Sequence, residues 1–303
     1  MKKQEAKNDY NSWILKFLNY LDIVKGRSRG TVKEYERKLR KFFNWSNFLN
    51  PEKITKETIW QFRVYLNDLG LNKKTQSYYL ITLRNFFKFL KNEGLNIIDS
   101  SLIELPKIKR SEIEILTDNE LKKFLNSVDL KNNDLKSLRD RSILECLFST
   151  GLRVSELCNL NRDIDLEKRE IIVKGKGENI RTVFLSKISV IFLKKYLDKR
   201  TDNFKPLFIS VAKNSFGQRL TSRSIQKIIK YYAHKSGLTK NIHPHSLRHQ
   251  LATTLISKGV DIRLVQELLG HKNISTTQIY THITKPKLKE VFQKYIDDNK
   301  DKI

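Results

Sequence analysis

The sequence predicts a mainly α-helical protein in two domains, with one small antiparallel β-sheet in the second. Three observations carry this. The 303 residues are enough for roughly two domains of ordinary size. Apolar side chains recur at helical spacing through most of the chain, and the period becomes strand-like only between Ile164 and Leu185. The stretch from Ser100 to Ile115 carries Pro106 and a run of Lys and Arg with no clear apolar period. It reads as an exposed linker, which places one domain at about 8–106 and the other at about 112–303.

In the first domain four helices follow from the apolar spacing. Their stripes are Trp13, Phe17 and Leu21; Val32, Tyr35, Leu39 and Phe42; Ile59, Phe62 and Leu66; and Tyr79, Leu83, Phe86 and Leu90. Gly26 to Gly30, Pro51 and Gly70 break them, and Gly94 closes the last. After the linker, Asp118 to Val128 and Arg139 to Ser149 read as helices, the first capped by Thr117 with Glu120 three residues on. Ile171, Ile172 and Val173, a turn at Gly175 and Gly177, then Ile180, Val183 and Leu185 predict a hairpin. Further helices are expected at about 188–198, 222–236, 246–258 and 261–269, stopped by Gly237, Gly259 and Gly270.

The charge balance narrows the partners. Lys and Arg number 59 against 33 Asp and Glu, a net +26 that favours a densely anionic partner, nucleic acid first. Hydrophobic residues make up 39% of the chain, enough to fold, which excludes a charged disordered tail. No apolar run approaches the roughly 20 residues of a membrane span, and Met1 to Asn11 is polar, so a cytoplasmic protein is expected. Cys146 and Cys158 sit in apolar segments and read as core residues. In the first domain Lys33, Arg37, Arg40, Lys41, Lys73, Lys74, Arg84 and Lys88 could follow a phosphate backbone, although each taken singly also fits a solvated helix face.

Four segments of the second domain carry chemistry. Arg153 follows a glycine that interrupts an apolar helix, with Glu156 three residues on, so a carboxylate can aim its planar fork at a phosphate. Lys176 stands between Gly175 and Gly177 at a hairpin tip, where a protonated ammonium can serve a leaving oxygen. His245 and Arg248 share one face at a helix start that favours anions. The i, i+4 pair His245 and His249 also raises a metal reading; Arg248 between them, and the lack of an accompanying carboxylate or cysteine pair, oppose it. Asp163, Asp165 and Glu167 lack the glycine of a calcium loop and read as surface residues. His271 follows Gly270 at a helix end, and Tyr280 rides a short helix, about 276–283, capped by Ser275. Two arginines and histidine donors would stabilise the second negative charge that builds when a hydroxyl attacks a phosphodiester.

Arg153, Lys176, His245 with Arg248, His271 and Tyr280 reproduce in order and spacing the pattern of the tyrosine recombinases, and the chain resembles their short Xer-type members. The longest matches are Thr150 to Leu157, Gly175 to Arg181, His245 to Thr253 and Leu268 to His282. The resemblance implies a helical core-binding domain and a mixed α/β catalytic domain that close on double-stranded DNA as a clamp. It also implies Tyr280 as nucleophile, Arg153, supported by Glu156, and Arg248 as phosphate clamps, Lys176 as general acid, His245 as acid/base partner and His271 as phosphate-binding donor. No cofactor is expected, and neither a Gly-rich nucleotide loop nor a carboxylate cage for Mg²⁺ is evident. Gln250, Thr254 and a missing proline after the hairpin depart from the pattern. Rival readings are a mobile-element integrase of the same family and a non-catalytic DNA-binding relative. The lack of an extra domain before Trp13 favours the Xer-type reading.

Beyond Pro286 the residues Leu288, Val291, Phe292 and Tyr295 recur at helical spacing. A helix this short is marginal alone and must dock on its own domain or a neighbour. In the resembling family the tail enters an adjacent protomer, so a tetramer on two DNA sites, or pairing with a related recombinase, is expected.

Overall fold

The computed structural model describes residues 2–108, 114–174, 180–270, 289 and 292–297, with the side chains of residues 2–9, Tyr295 and Asp297 outside the description. The chain divides into two compact units, Met1–Ser111 and Glu112–Ile303.

The first unit is a helical bundle: α1 (Lys2–Asn19), α2 (Arg29–Trp45), α3 (Lys56–Asp68) and α4 (Lys73–Asn92), with a π-helical turn at Tyr20–Val24 after α1. The predicted stripes meet in one core, where Phe17, Phe42, Phe43, Phe62, Phe86 and Phe87 are almost wholly buried. Phe42 meets Phe62 edge-on at 4.9 Å, a geometry that adds to the burial itself. Ser28, Thr55 and Asn72 cap α2, α3 and α4 through their side chains. Helix α1 starts earlier than the apolar stripe indicates, because Lys, Gln, Glu and Ala before Tyr10 are strong helix formers that need no core contact. The linker is shorter than expected: Ile103 is buried in this core, and Arg84 Nε donates to its carbonyl at 2.6 Å.

In the second unit α5 (Asp118–Asn126) begins with the expected capping box, Glu120 N to Thr117 Oγ1 at 3.2 Å and Thr117 N to Glu120 Oε2 at 2.7 Å. Helix α6 (Leu135–Thr150) is buried on every side from Leu138 onward, so its charges are matched internally, Arg139 with Asp140 at 2.6 Å and Arg141 with Glu145 at 2.9 Å. A short helix α7 (Val154–Asn159), not foreseen from the sequence, precedes the hairpin β1 (Glu170–Lys174) and β2 (Ile180–Phe184). The strands are antiparallel, with Val173 opposite Arg181 and Ile171 opposite Val183. Helices α8 (Lys187–Asp198), α9 (Ser222–Lys235), α10 (Pro244–Ser257) and α11 (Ile262–Leu269) complete the unit.

One core surrounds α6 and a smaller one lies beneath α10 and α11. The smaller core also takes in Phe292 and Ile296 of the tail, with Phe292 5.7 Å from Phe184 between ring centroids, while Lys289 pairs with Glu170 at 2.7 Å. In the single chain these tail residues therefore dock on their own domain, one of the two places the sequence left open. Gln250 on α10 is buried and uses both ends of its amide on one residue: it accepts from Leu116 N at 2.8 Å and donates to Leu116 O at 2.9 Å. Among the described residues no helix is long and apolar enough to cross a membrane.

Candidate active site

The site grows from the end of α6. Gly151 closes that helix at φ +59, and a side chain there would stand 2.6 Å from Leu269 Cδ2, so the position needs glycine twice over. This close approach brings the end of α11 against the end of α6. Two residues on, Arg153 is the N-cap of α7, and Glu156 folds back to accept from its amide at 2.8 Å and from its Nη1 at 2.9 Å. The remaining end of the Arg153 fork, Nη2, reaches Gly270 O at 3.4 Å. About a third of the side chain stays open to solvent.

Arg248 projects from α10 into the same place but is 6% exposed. Its Nη1 donates to Gly151 O at 2.6 Å and its Nη2 to Leu269 O, so it ties the ends of α6 and α11 together. Among the described residues no carboxylate pairs with it. Burial, then the neighbouring charges of Arg153 and Arg181, push it down to about 10, which still leaves it ionised at neutral pH.

Arg181 was absent from the sequence-derived set. From β2 it clamps Glu156 with both ends of its fork, Nη1 to Oε1 at 2.9 Å and Nη2 to Oε2 at 2.7 Å. Burial alone would raise the Glu156 carboxyl; the Arg181 fork and the Arg153 amide outweigh it and hold it at about 2. Three guanidiniums thus gather around one carboxylate, leaving the site strongly positive. The signal for Arg181 lies in strand alternation: it is in phase with buried Val183 and opposite buried Val173, and a charge on that face requires a buried counter-charge.

His243, rather than an exposed amide row, opens α10: its Nδ1 accepts from Ser246 N at 3.1 Å, and Pro244 follows at the first helical position. His245 is exposed beside it, and partial burial, then His243, Arg248, His249 and Arg153, lower its pKa below the ordinary histidine value. It is therefore neutral near pH 7, able to accept or donate. Among the described residues no group of three His, Cys, Asp or Glu side chains could hold a metal ion. Asp165 serves a turn, accepting from Glu167 N at 3.1 Å and Lys168 N at 3.0 Å. Lys176, His271 and Tyr280 lie outside the described residues.

In the first unit Lys33, Lys73, Lys74 and Lys88 are exposed. Arg37 pairs with Glu34 at 2.9 Å and donates to Tyr79 Oη at 3.3 Å, Arg40 pairs with Glu36 at 2.8 Å, and Lys41 lies over the Tyr65 ring at 5.8 Å. Arg84 is engaged with the backbone of Ser101 and Ile103, an anchoring task inside its own unit.

A helical bundle followed by a mixed domain whose arginines cluster at Glu156 presents a positive site suited to an anion such as a phosphodiester. Residues 14–94 match the phage integrase N-terminal SAM-like domain and residues 114–287 match the phage integrase family. The chain belongs to that family. It is 37% identical to tyrosine recombinase XerD of Listeria innocua, over 94% of this chain and 98% of the relative, and 38% identical to XerC of Thermodesulfovibrio yellowstonii, over 93% and 95%. The XerH recombinase bound to palindromic difH shares the fold, with TM-score 0.65 at 24% identity over 93% of this chain and 94% of that one. Within the family it is a Xer-type tyrosine recombinase, a site-specific DNA cleavage and rejoining enzyme.

Proposed function

We propose that the Tyr280 hydroxyl attacks a phosphodiester of double-stranded DNA, forming a 3′-phosphotyrosine bond as the bond to the 5′-oxygen breaks. The released 5′-hydroxyl then attacks the equivalent bond in a partner duplex, reversing the chemistry without an external energy source. Arg153 and Arg248 hold the non-bridging oxygens, Lys176 gives its proton to the 5′-oxygen, His245 as acid/base partner takes up the tyrosine proton, and His271 donates a hydrogen bond to the phosphate. The buried Arg248 guanidinium is the observation that carries this reading. It is desolvated, has no hydrogen-bonded carboxylate among the described residues and is fixed by two carbonyls, so it is preorganised for charge that appears only in the transition state. A phenol near pKa 10 is only about a thousandth ionised at pH 7, and a positive site favours its anion.

On this reading the exposed lysines of the first unit contact the DNA backbone in the cytoplasm, and the natural event is resolution of chromosome dimers. The tail around Phe292 leaves its own domain for that of a neighbour when four protomers assemble on two sites, alone or with a related recombinase.

The test uses nicked duplexes tiling the source genome, in which a cleaved end diffuses away and traps the intermediate. Wild type should leave a protein–DNA band on a denaturing gel, enriched for one site, whereas Tyr280→Phe should bind that site and leave none. Covalent product from Tyr280→Phe would overturn the nucleophile assignment.

A further inference from the structure

Arg181 occupies a place in the hairpin where a charge is out of keeping. Val173 faces it across the ladder, and Val183, next on its own face, is fully buried. Glu156 makes the position tenable, yet a purely structural ion pair would need nothing more than one carboxylate. This carboxylate also grips the amide and fork of Arg153. The stem of Arg181 meanwhile packs on Gly270, where an added Cβ would stand 2.9 Å from Arg181 Cδ, and the Gly270 carbonyl is the one that Arg153 Nη2 reaches at 3.4 Å. Gly270 is the left-handed cap of α11 and the chain neighbour of His271. Arg181 Nε is buried without a partner among the described residues, so the two terminal nitrogens on Glu156 are what the side chain contributes.

We infer that Arg181 is a positioning residue of the cleavage reaction: through Glu156 it fixes the Arg153 fork, and through Gly270 the end of α11 from which His271 follows. The inference rests on Arg153 as a phosphate clamp. Arginine rather than lysine is required, because a planar fork can hold both carboxylate oxygens and a single ammonium cannot dictate the plane of Glu156. An Arg153 fork released from that plane points away from the phosphate, and misplacement on the ångström scale lowers a rate by about 10²-fold.

The experiment measures single-turnover cleavage at saturating DNA, affinity for the same duplex and thermal melting, using the nicked site captured by the wild-type protein. Variants are Arg181→Met, Arg181→Lys, Glu156→Gln and the Arg181→Met, Glu156→Gln double. Arg181→Met should cleave roughly 10²-fold more slowly with little loss of affinity. The double variant should be no slower than the worse single one, because both act on the same fork. Arg181→Lys should recover only part of the rate even where melting is normal. Independent, multiplicative losses, or a wild-type rate with lysine at 181, would overturn the inference; the lysine variant keeps the charge and most of the stem, so it decides the matter even if Arg181→Met does not fold. A wild-type protein that leaves no covalent product would instead count against the Tyr280 reading.

Discussion

On α2 of the first unit, Arg37 and Arg40 lie about half exposed beside Glu34 and Glu36, each paired within one helical turn, with Glu34 shared between Arg37 and Lys38. In the second unit Arg153, Arg181 and Arg248 gather around the single carboxylate of Glu156. The same residue type does opposite work. Exposed pairs of the first kind are worth about 0.3–0.5 kcal/mol and are screened by salt, so their cations can exchange a glutamate for a DNA phosphate at little expense. The second kind is under-neutralised and desolvated, held by packing in readiness for an anion. On the proposed reading, one region binds DNA reversibly and the other stabilises a charge that exists only briefly.

The largest break in this comparison comes from Arg248→Ala, expected to lower the cleavage rate by about 10²- to 10³-fold while DNA affinity changes far less. Gel-shift titration beside single-turnover cleavage separates the two; equal losses in both would make Arg248 a binding residue like those on α2. Glu156 gives the next effect. Its carboxyl is held at about 2 against an ordinary 4.5, so its stabilisation is complete above about pH 5 and fades as pH falls toward 2. Denaturant melts of wild type and Glu156→Gln should therefore converge by about 2 kcal/mol between pH 7 and pH 3. Constant separation would mean the carboxylate is not held by the arginines.

His245 sharpens the contrast kinetically. With its pKa lowered, the neutral ring persists below the usual value near 6.5, so cleavage should hold through pH 6.5 and decline only on the more acid side. That limb should vanish in His245→Asn, at a lower overall rate; an unchanged profile would remove His245 from proton transfer. Smallest of all is Arg40→Ala, expected to shift stability by under about 0.5 kcal/mol and to reduce the dependence of DNA binding on salt by about one counterion. A loss of cleavage rate at saturating DNA would erase the distinction between the two regions.

Much of the fold was legible because its aromatics recur at helical period: the stripes through Phe17, Phe42, Phe62 and Phe86 are the core of the bundle. The Thr117 capping box and the Arg153 and Glu156 pair were legible for another reason, since partners three residues apart meet through local geometry alone. Arg181 was missed because its partner lies 25 residues away, on α7 before the hairpin. Helix α7 was missed because six residues are too few to display a period. The buried start of the linker was not legible because Ile103 and Leu105 reach the bundle core without any helical period, beside a backbone bond from Arg84 far back in α4.

The amide of Gln250 behaves as a loose piece of β-strand, presenting Leu116 with the donor and acceptor a neighbouring chain would offer. Leu116 is among the first residues after the linker, and Gln250 stands two positions from Arg248 on one helix. The start of the second unit is thereby tied to α10, the helix that also carries Arg248. A glutamate at 250 would keep the acceptor and turn the donor into a repelling oxygen, cutting the tether while leaving α10 intact.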